Sequence, residues 1–206
     1  MGYLGYKPAD KPLTAADITD SIITSAKIVD GTIVNADINA SAAIVSTKLS
    51  GVQGKFESAL LHVRDEKASG TDGGTFTSGS FQTRTLNTVM TNEISGASLT
   101  SNQIILPSGT YYIDATAEAF RVESHRLKLR NITDSSDVLI GTSNYAAGGN
   151  NVGNNSNVTG RFTISAQKTF EIQHRCGSTI TGNGLGAPSG FSIVEVFTNV
   201  QIWKVA

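Results

Sequence analysis

A single cysteine, Cys176, stands in the whole chain, so no intrachain disulfide can form. Any unusual robustness must come from packing or from association between chains. Charge is scarce too. Asp, Glu, Lys and Arg make up 16% of the 206 residues, against about a quarter in ordinary soluble domains. The charges present balance to a formal net charge of −1, which leaves no electrostatic footprint for nucleic acid or for a membrane surface. No apolar run approaches the roughly 18–20 residues needed to cross a bilayer, so membrane insertion is not expected. The opening Met1-Gly2-Tyr3-Leu4-Gly5-Tyr6-Lys7-Pro8 lacks the apolar core of a signal peptide, so export through a secretory pathway is not expected.

Signals for chemistry are equally thin. His62, His125 and His174 are the only histidines, and they form no HExxH pattern and no i, i+4 pair. His174 and Cys176 lie two apart and would share a strand face, but a zinc site needs three or four ligands. Nothing near Cys176 in sequence would lower its thiol pKa for nucleophilic work. Gly182-Asn183-Gly184-Leu185-Gly186 is followed by Pro188-Ser189-Gly190 and not by a helix, so it reads as a mobile loop and not a phosphate cradle. Gly51 to Lys55 is likewise no Walker motif. Asp114 and Glu118 share a strand face but sit about 13 Å apart at a ~3.3 Å rise, too far for a glycosidase pair. The sequence therefore calls for no enzyme, no cofactor and no metal.

What takes the place of charge is Gly, Ser, Thr and Asn, and the length suits one ordinary domain plus an appendage. The appendage repeats. Residues 16–40 fall into five units of five: Ala16-Asp17-Ile18-Thr19-Asp20, Ser21-Ile22-Ile23-Thr24-Ser25, Ala26-Lys27-Ile28-Val29-Asp30, Gly31-Thr32-Ile33-Val34-Asn35 and Ala36-Asp37-Ile38-Asn39-Ala40. Each places an Ile third, at positions 18, 23, 28, 33 and 38. The pattern resembles the pentapeptide repeats of square β-solenoids, whose central apolar residue fills the interior. Such a solenoid takes four units per coil, so this segment makes little more than one. Five buried Ile side chains contribute about 10 kcal/mol at roughly 25 cal/mol per Å². Ordering about 25 residues costs more, at roughly 1–2 kcal/mol each. The segment is therefore expected to be ordered by other chains, either two further copies or a partner. The plain alternative is a flexible tether whose period is accidental.

Residues 51–58 read as a linker, with Ser50-Gly51-Val52-Gln53-Gly54 as hinge. Phe56 to Val63 fits a short helix or the lead-in to a strand. Ala68 to Gly74 is a loop by composition. Beyond it the signals are β: Thr83 to Val89, Asn102 to Leu106 before a Pro107-Ser108-Gly109 turn, Gly109 to Phe120, Val122 to Ile132, Val138 to Ser143, Val158 to Ile164, Lys168 to Cys176 and Ser192 to Val205. Short strands at this spacing, with no helical period, predict an all-β sandwich or jelly roll. Within Val122 to Ile132 the alternation puts His125, Leu127 and Leu129 on one face and Arg126, Lys128 and Arg130 on the other. That basic face could bind an anionic glycan or phosphate, or could simply be solvated or paired with carboxylates of a neighbouring subunit.

Two resemblances follow from these residues. Gly109-Thr110-Tyr111-Tyr112-Ile113, Leu127-Lys128-Leu129-Arg130-Asn131, Gly160-Arg161-Phe162-Thr163-Ile164, Thr169-Phe170-Glu171-Ile172 and the closing Phe191 to Val205 resemble, in pattern, the jelly-roll head shared by complement-type globular heads and tumour-necrosis-factor-like cytokines. The whole chain also resembles phage tail-fibre and virion proteins that carry this head. The segments concerned are Gly5-Tyr6-Lys7-Pro8, Leu13 to Ile18, Asp65 to Gly70 and Asn92 to Leu99. The Asn- and Gly-rich stretch 144–157 has no counterpart in that pattern. The resemblance implies a homotrimer on the virion surface, made in the host cytoplasm. In it, residues 1–15 form a virion-docking arm, 16–50 an extended repetitive β shaft, 51–58 a linker and 59–206 a trimeric head.

Tyr3, Leu4, Tyr6 and Leu13 are the expected docking anchors, being concentrated in an otherwise polar arm. Their partners would be other virion proteins: baseplate, tail, portal-adaptor or capsid. The expected tip loops are 144–157 and 177–190. There Asn150, Asn151, Asn154, Asn155 and Asn183 would meet a host surface glycan or receptor through adaptable hydrogen bonds, with avidity from three copies. A host-binding tail fibre, a capsid-decoration or collar fibre, and a host polysaccharide depolymerase are the competing functions. A secreted cytokine-like ligand fits less well, given the arm and the missing signal peptide.

Overall fold

The computed structural model describes residues 23–39, 42 and 59–205. The chain divides into two compact units, Met1–Ser50 and Gly51–Ala206. The docking residues Tyr3, Leu4, Tyr6 and Leu13, Ile18 and the linker 51–58 lie outside the described residues.

In the first unit the five-residue period is a period of turns. The backbone N–H groups of Lys27, Thr32, Asp37 and Ala42 donate to the carbonyls of Thr24, Val29, Val34 and Asn39. Two of these turns are 3-10 segments, Ser25–Lys27 and Asn35–Asp37. Side chains reinforce the register: Asp37 Oδ2 accepts from the Val34 N–H at 2.9 Å. Gly31 takes φ +79° at the third position of the turn 29–32, a conformation that a type II turn needs and glycine supplies. The β character expected of the shaft is absent among the described residues 23–39, since a single chain offers this run no neighbouring backbone to pair with. Ile23, Ile28, Ile33 and Ile38 are 55, 40, 56 and 41% exposed, so one chain alone does not make the apolar interior that the repeat predicts.

The second unit is a sandwich of two antiparallel sheets. One has the order β3-β1-β11-β6-β9, the other β4-β5-β10-β7-β8. The strands are β1 Ala59–Lys67, β2 Gln82–Thr83, β3 Thr88–Asn92, β4 Ser98–Thr100, β5 Gln103–Leu106, β6 Gly109–Phe120, β7 Glu123–Asn131, β8 Ser136–Ala146, β9 Gly153–Ile164, β10 Lys168–Cys176 and β11 Glu195–Lys204. The short β2 lies off this path and pairs with β10 at Gln173 and His174, beyond the stretch that β5 pairs. The chain changes sheet at every step except β4–β5 and β7–β8, which is the winding of a jelly roll. Alternation explains why the faces meet. In β6, Tyr111, Ile113, Ala115, Ala117 and Ala119 are buried, while the residues between them face outward. Tyr111, Ile113, Ala115 and Ala117 pack against Leu127, Leu129, Phe170 and Ile172 of the opposite sheet in one contiguous core.

The two ends of the sandwich differ. At one pole lie the entry at Ala59, the end of β11, and tight turns at 107–108, 132–135 and 165–167. At the opposite pole lie the long connections 68–81 and 177–194 and the turn 147–152. A second apolar cluster of Phe76, Ala119, Val122, Ala146 and Cys176 sits under these loops. Glu195 ties them together. Its carboxylate accepts from the N–H groups of Gly70, Ser189 and Gly190 and from the Ser189 hydroxyl, at 2.9–3.0 Å. Those donors pull its pKa down to about 2.

Gly186 shows how tightly that pole is packed. It has φ +147°, and a Cβ there would fall 2.1 Å from Cδ1 of Phe197. Gly186→Ala is expected to cost about 1–3 kcal/mol through overpacking. Urea unfolding checks this, and a midpoint equal to wild type refutes it.

One open sequence reading is settled and two expectations change. Phe56 to Val63 yields a strand, β1, from Ala59 onward. The strand expected over Thr83 to Val89 splits into β2 and β3, because Arg84 turns into the interior, where it is 1% exposed. The loop expected over 144–157 is mostly strand: only 147–152 is a turn, and Ser156 and Asn157 belong to β9.

Candidate functional site

The outer face of the second sheet carries a groove of about 730 Å³ beside the loop-rich pole. Its floor is two registered rows across three strands. Arg175 of β10 lies opposite Arg126 of β7, which lies opposite Ser143 of β8. The next row is Cys176, His125 and Asn144. Ser78, Gly79 and Phe81 of the 68–81 connection form the wall, and Ser124 and Gly177 close the polar end. Lys128 holds that wall, with its ammonium 4.0 Å from the centre of the Phe81 ring.

Alternation sends the Arg row outward and the His row inward. Arg126, Ser143 and Arg175 are exposed, whereas Cys176 and His125 are buried. The Arg126 guanidinium donates to the Ser143 hydroxyl. Beneath the floor His125 and His174 pair, Nδ1 to Nε2, at 3.0 Å, and His125 Nε2 lies 2.6 Å from Asn154 Oδ1. Asn154 Nδ2 donates to Asn144 Oδ1 and to the Tyr145 carbonyl. That fixes Oδ1 as the acceptor, so His125 donates through Nε2 and accepts at Nδ1 from His174 Nε2. Both rings are neutral in this arrangement. His174 Nδ1 is left buried with no partner.

The site separates residues that the sequence had grouped. Lys128 and Arg130 both bond Asp137 Oδ1 at 2.9 Å. Both therefore share one carboxylate, which leaves a single net positive charge on the three groups, and Arg126 is the member of the expected basic face of Arg126, Lys128 and Arg130 that makes no salt bridge among the described residues. Its companion is Arg175, a residue the sequence reading did not single out, which is exposed on β10 and which the β7–β10 register places beside Arg126. Among the Asn candidates, Asn150 and Asn151 are exposed in the 147–152 turn and Asn155 is exposed on β9. Asn154 is not available as a host contact, because its amide is spent on His125, Asn144 and Tyr145. Asn183 is half-buried within its loop. Burial pushes the Cys176 thiol up to about 11, so it is a packed thiol and no nucleophile. Among the described residues no group of three or more His, Cys, Asp or Glu is arranged to hold a metal ion.

No family model matches the sequence, and no curated protein matches it. Solved structures do resemble the described fold. The globular domain of a zebrafish complement 1qA protein is 10% identical, with 72% of this chain and 98% of that one covered and a TM-score of 0.49. Eiger TNF from S. frugiperda is 12% identical, covering 72% and 93%, also at 0.49. Murine APRIL is 7% identical, covering 71% and 98%, at 0.45.

Proposed function

We propose that the chain is a structural and adhesive fibre protein of a bacteriophage particle. It acts as a homotrimer, docked to the virion through residues 1–15, with a jelly-roll head that meets the host cell surface. The polarity of the head carries this reading. The chain enters at the pole of tight turns, while the long connections 68–81 and 177–194 and the exposed Asn150 and Asn151 gather at the far pole. A tethered adhesin needs that separation, since variable loops accommodate a ligand without disturbing the scaffold.

Association of three chains is supported by the isoleucine ladder. Four Ile side chains recur in an identical turn register, yet each is 40% exposed or more in one chain. Exposed Phe191, Ile193 and Val194 add a further apolar surface on the head. A capsid-decoration or collar fibre would use the same trimer and the same docking arm with adhesion secondary.

Deleting residues 1–15 is expected to yield a protein that still sediments as a trimer but is missing from purified particles. Incorporation at normal copy number would refute docking, and a monomer in dilute solution would refute the trimeric reading.

A further inference from the structure

Among the described residues no salt bridge joins either exposed arginine of the groove floor to a carboxylate. Arg126 and Arg175 are directly opposed cross-strand neighbours, an arrangement in which like charges repel. Among the described residues, the acids nearby in the strand order make their hydrogen bonds and ion pairs with other groups. Asp137 is held by Lys128 and Arg130. Glu171 accepts from Thr83, Gln103 and Gln173. Glu123 accepts from the Ser178 hydroxyl. The Arg126 guanidinium donates to a neutral hydroxyl, that of Ser143. Two guanidinium forks at opposed positions of one row, with the hydroxyls of Ser78, Ser124 and Ser143 lining the same groove, make a receptor for one oxyanion. Phe81 adds an apolar wall of the kind a sugar ring packs against, and the groove is large enough for one or two sugar residues.

We infer that this groove is a subsite for an acidic saccharide, whose oxyanion is bridged between Arg126 and Arg175 while Ser78, Ser124 and Ser143 read the neighbouring hydroxyls. The inference rests on the adhesive reading above and gives it a ligand class. A carboxylate on a uronic or sialic acid and a sulfate ester on a neutral sugar share the chemistry required. The site needs no metal and breaks no bond.

The test uses the full-length protein in titration calorimetry. Its ligands are oligosaccharides containing glucuronic, galacturonic or N-acetylneuraminic acid, their carboxyl-reduced neutral forms, and a sulfated neutral oligosaccharide of equal length. At least one acidic ligand is expected to bind about 10- to 100-fold tighter than its neutral form, by the strength of charge-assisted hydrogen bonds. That preference is expected to shrink as salt rises. Selective binding of the carboxylated set assigns a uronic or sialic acid, and selective binding of the sulfated sugar assigns a sulfate ester. Arg126→Met with Arg175→Met is expected to abolish the preference while the melting temperature stays at the wild-type value.

Equal affinity for the acidic and neutral forms, no binding by any acidic sugar, or full retention in the double variant would overturn the subsite. Phage adsorption separates this failure from failure of the adhesive reading. Particles with the double variant that adsorb normally, where particles lacking the head do not, sink the subsite alone. Particles that adsorb normally without the head sink the adhesive reading.

Discussion

Arg84→Met is expected to destabilise the head by about 3–5 kcal/mol, the cost of breaking a buried charge network by removing one partner. Arg84 is wholly buried, yet four hydrogen bonds radiate from its guanidinium. Nε donates to Thr198 Oγ1 at 2.9 Å, one terminal nitrogen to the Glu118 carbonyl at 3.2 Å, and the other to the Leu185 and Phe197 carbonyls at 2.9 and 3.0 Å. One side chain thus joins β6, β11 and the 177–194 connection. Burial drags its pKa down to about 10, while Asp65 and Glu118 push it back up. Asp65 gains from the same charge, because both of its carboxylate oxygens are buried without a donor.

Removing the cation strands three carbonyls, a hydroxyl and that carboxylate together, which is why the effect should exceed that of an ordinary core truncation. Thermal unfolding is expected to shift down by roughly 10 °C or more. Adding Asp65→Leu to Arg84→Met should recover part of the loss, since the orphaned carboxylate then goes as well. A shift of under 2 °C in the single variant would show that the network is dispensable.

The same residue marks where reading the sequence stops. Gly109 to Phe120 and Lys168 to Cys176 are legible as strands to the residue, because each has long alternation bounded by a turn signal. Arg84 sits in a stretch with equal strand propensity, and only tertiary contacts turn it inward. Ala59–Lys67 is hidden for the opposite reason: Leu60, Leu61 and Val63 satisfy a helical and a strand pattern equally. The groove was half legible. Alternation puts Arg126 on the outer face of β7, and the same rule puts Arg175 outward on β10. Their juxtaposition is a matter of register between strands about fifty residues apart in the chain, which no local pattern encodes. The salt bridges from Lys128 and Arg130 to Asp137 depend on the β7–β8 register in the same way.

Acid is expected to unfold the head through the His125–His174 pair. Burial holds both imidazoles below the ordinary value near 6.5, and the positive charge of Arg84 lowers both further. The bond to Asn154 raises His125 only in part. Geometry gives the same answer. A proton on His125 Nδ1 would face the N–H of His174 Nε2, and a proton on His174 Nδ1 would be buried without an acceptor. Arg84 is the cation facing both rings. Phe76 packs on His174 at 4.8 Å and offers no counter-charge.

Above about pH 6.5 the rings are neutral in the folded and unfolded chains alike, so they cost nothing. Below it the unfolded chain takes up protons that the folded chain refuses. Stability then falls with pH by up to about 1.4 kcal/mol per unit for each histidine, until the folded values are reached. Asp65 and Glu118, both raised mainly by burial, act in the opposite sense, but only where they themselves titrate. Glu195 adds to the loss as pH drops from about 4.5 toward 2. The melting temperature is therefore expected to be level from pH 8 to 7 and to fall steeply between pH 6.5 and 5. His174→Gln keeps a donor to His125 and removes one titrating ring, so it should reduce that slope by about half while changing little at pH 8. A wild-type melting temperature that is flat from pH 7 to 5, or an acid slope unchanged in His174→Gln, would refute the role of the pair.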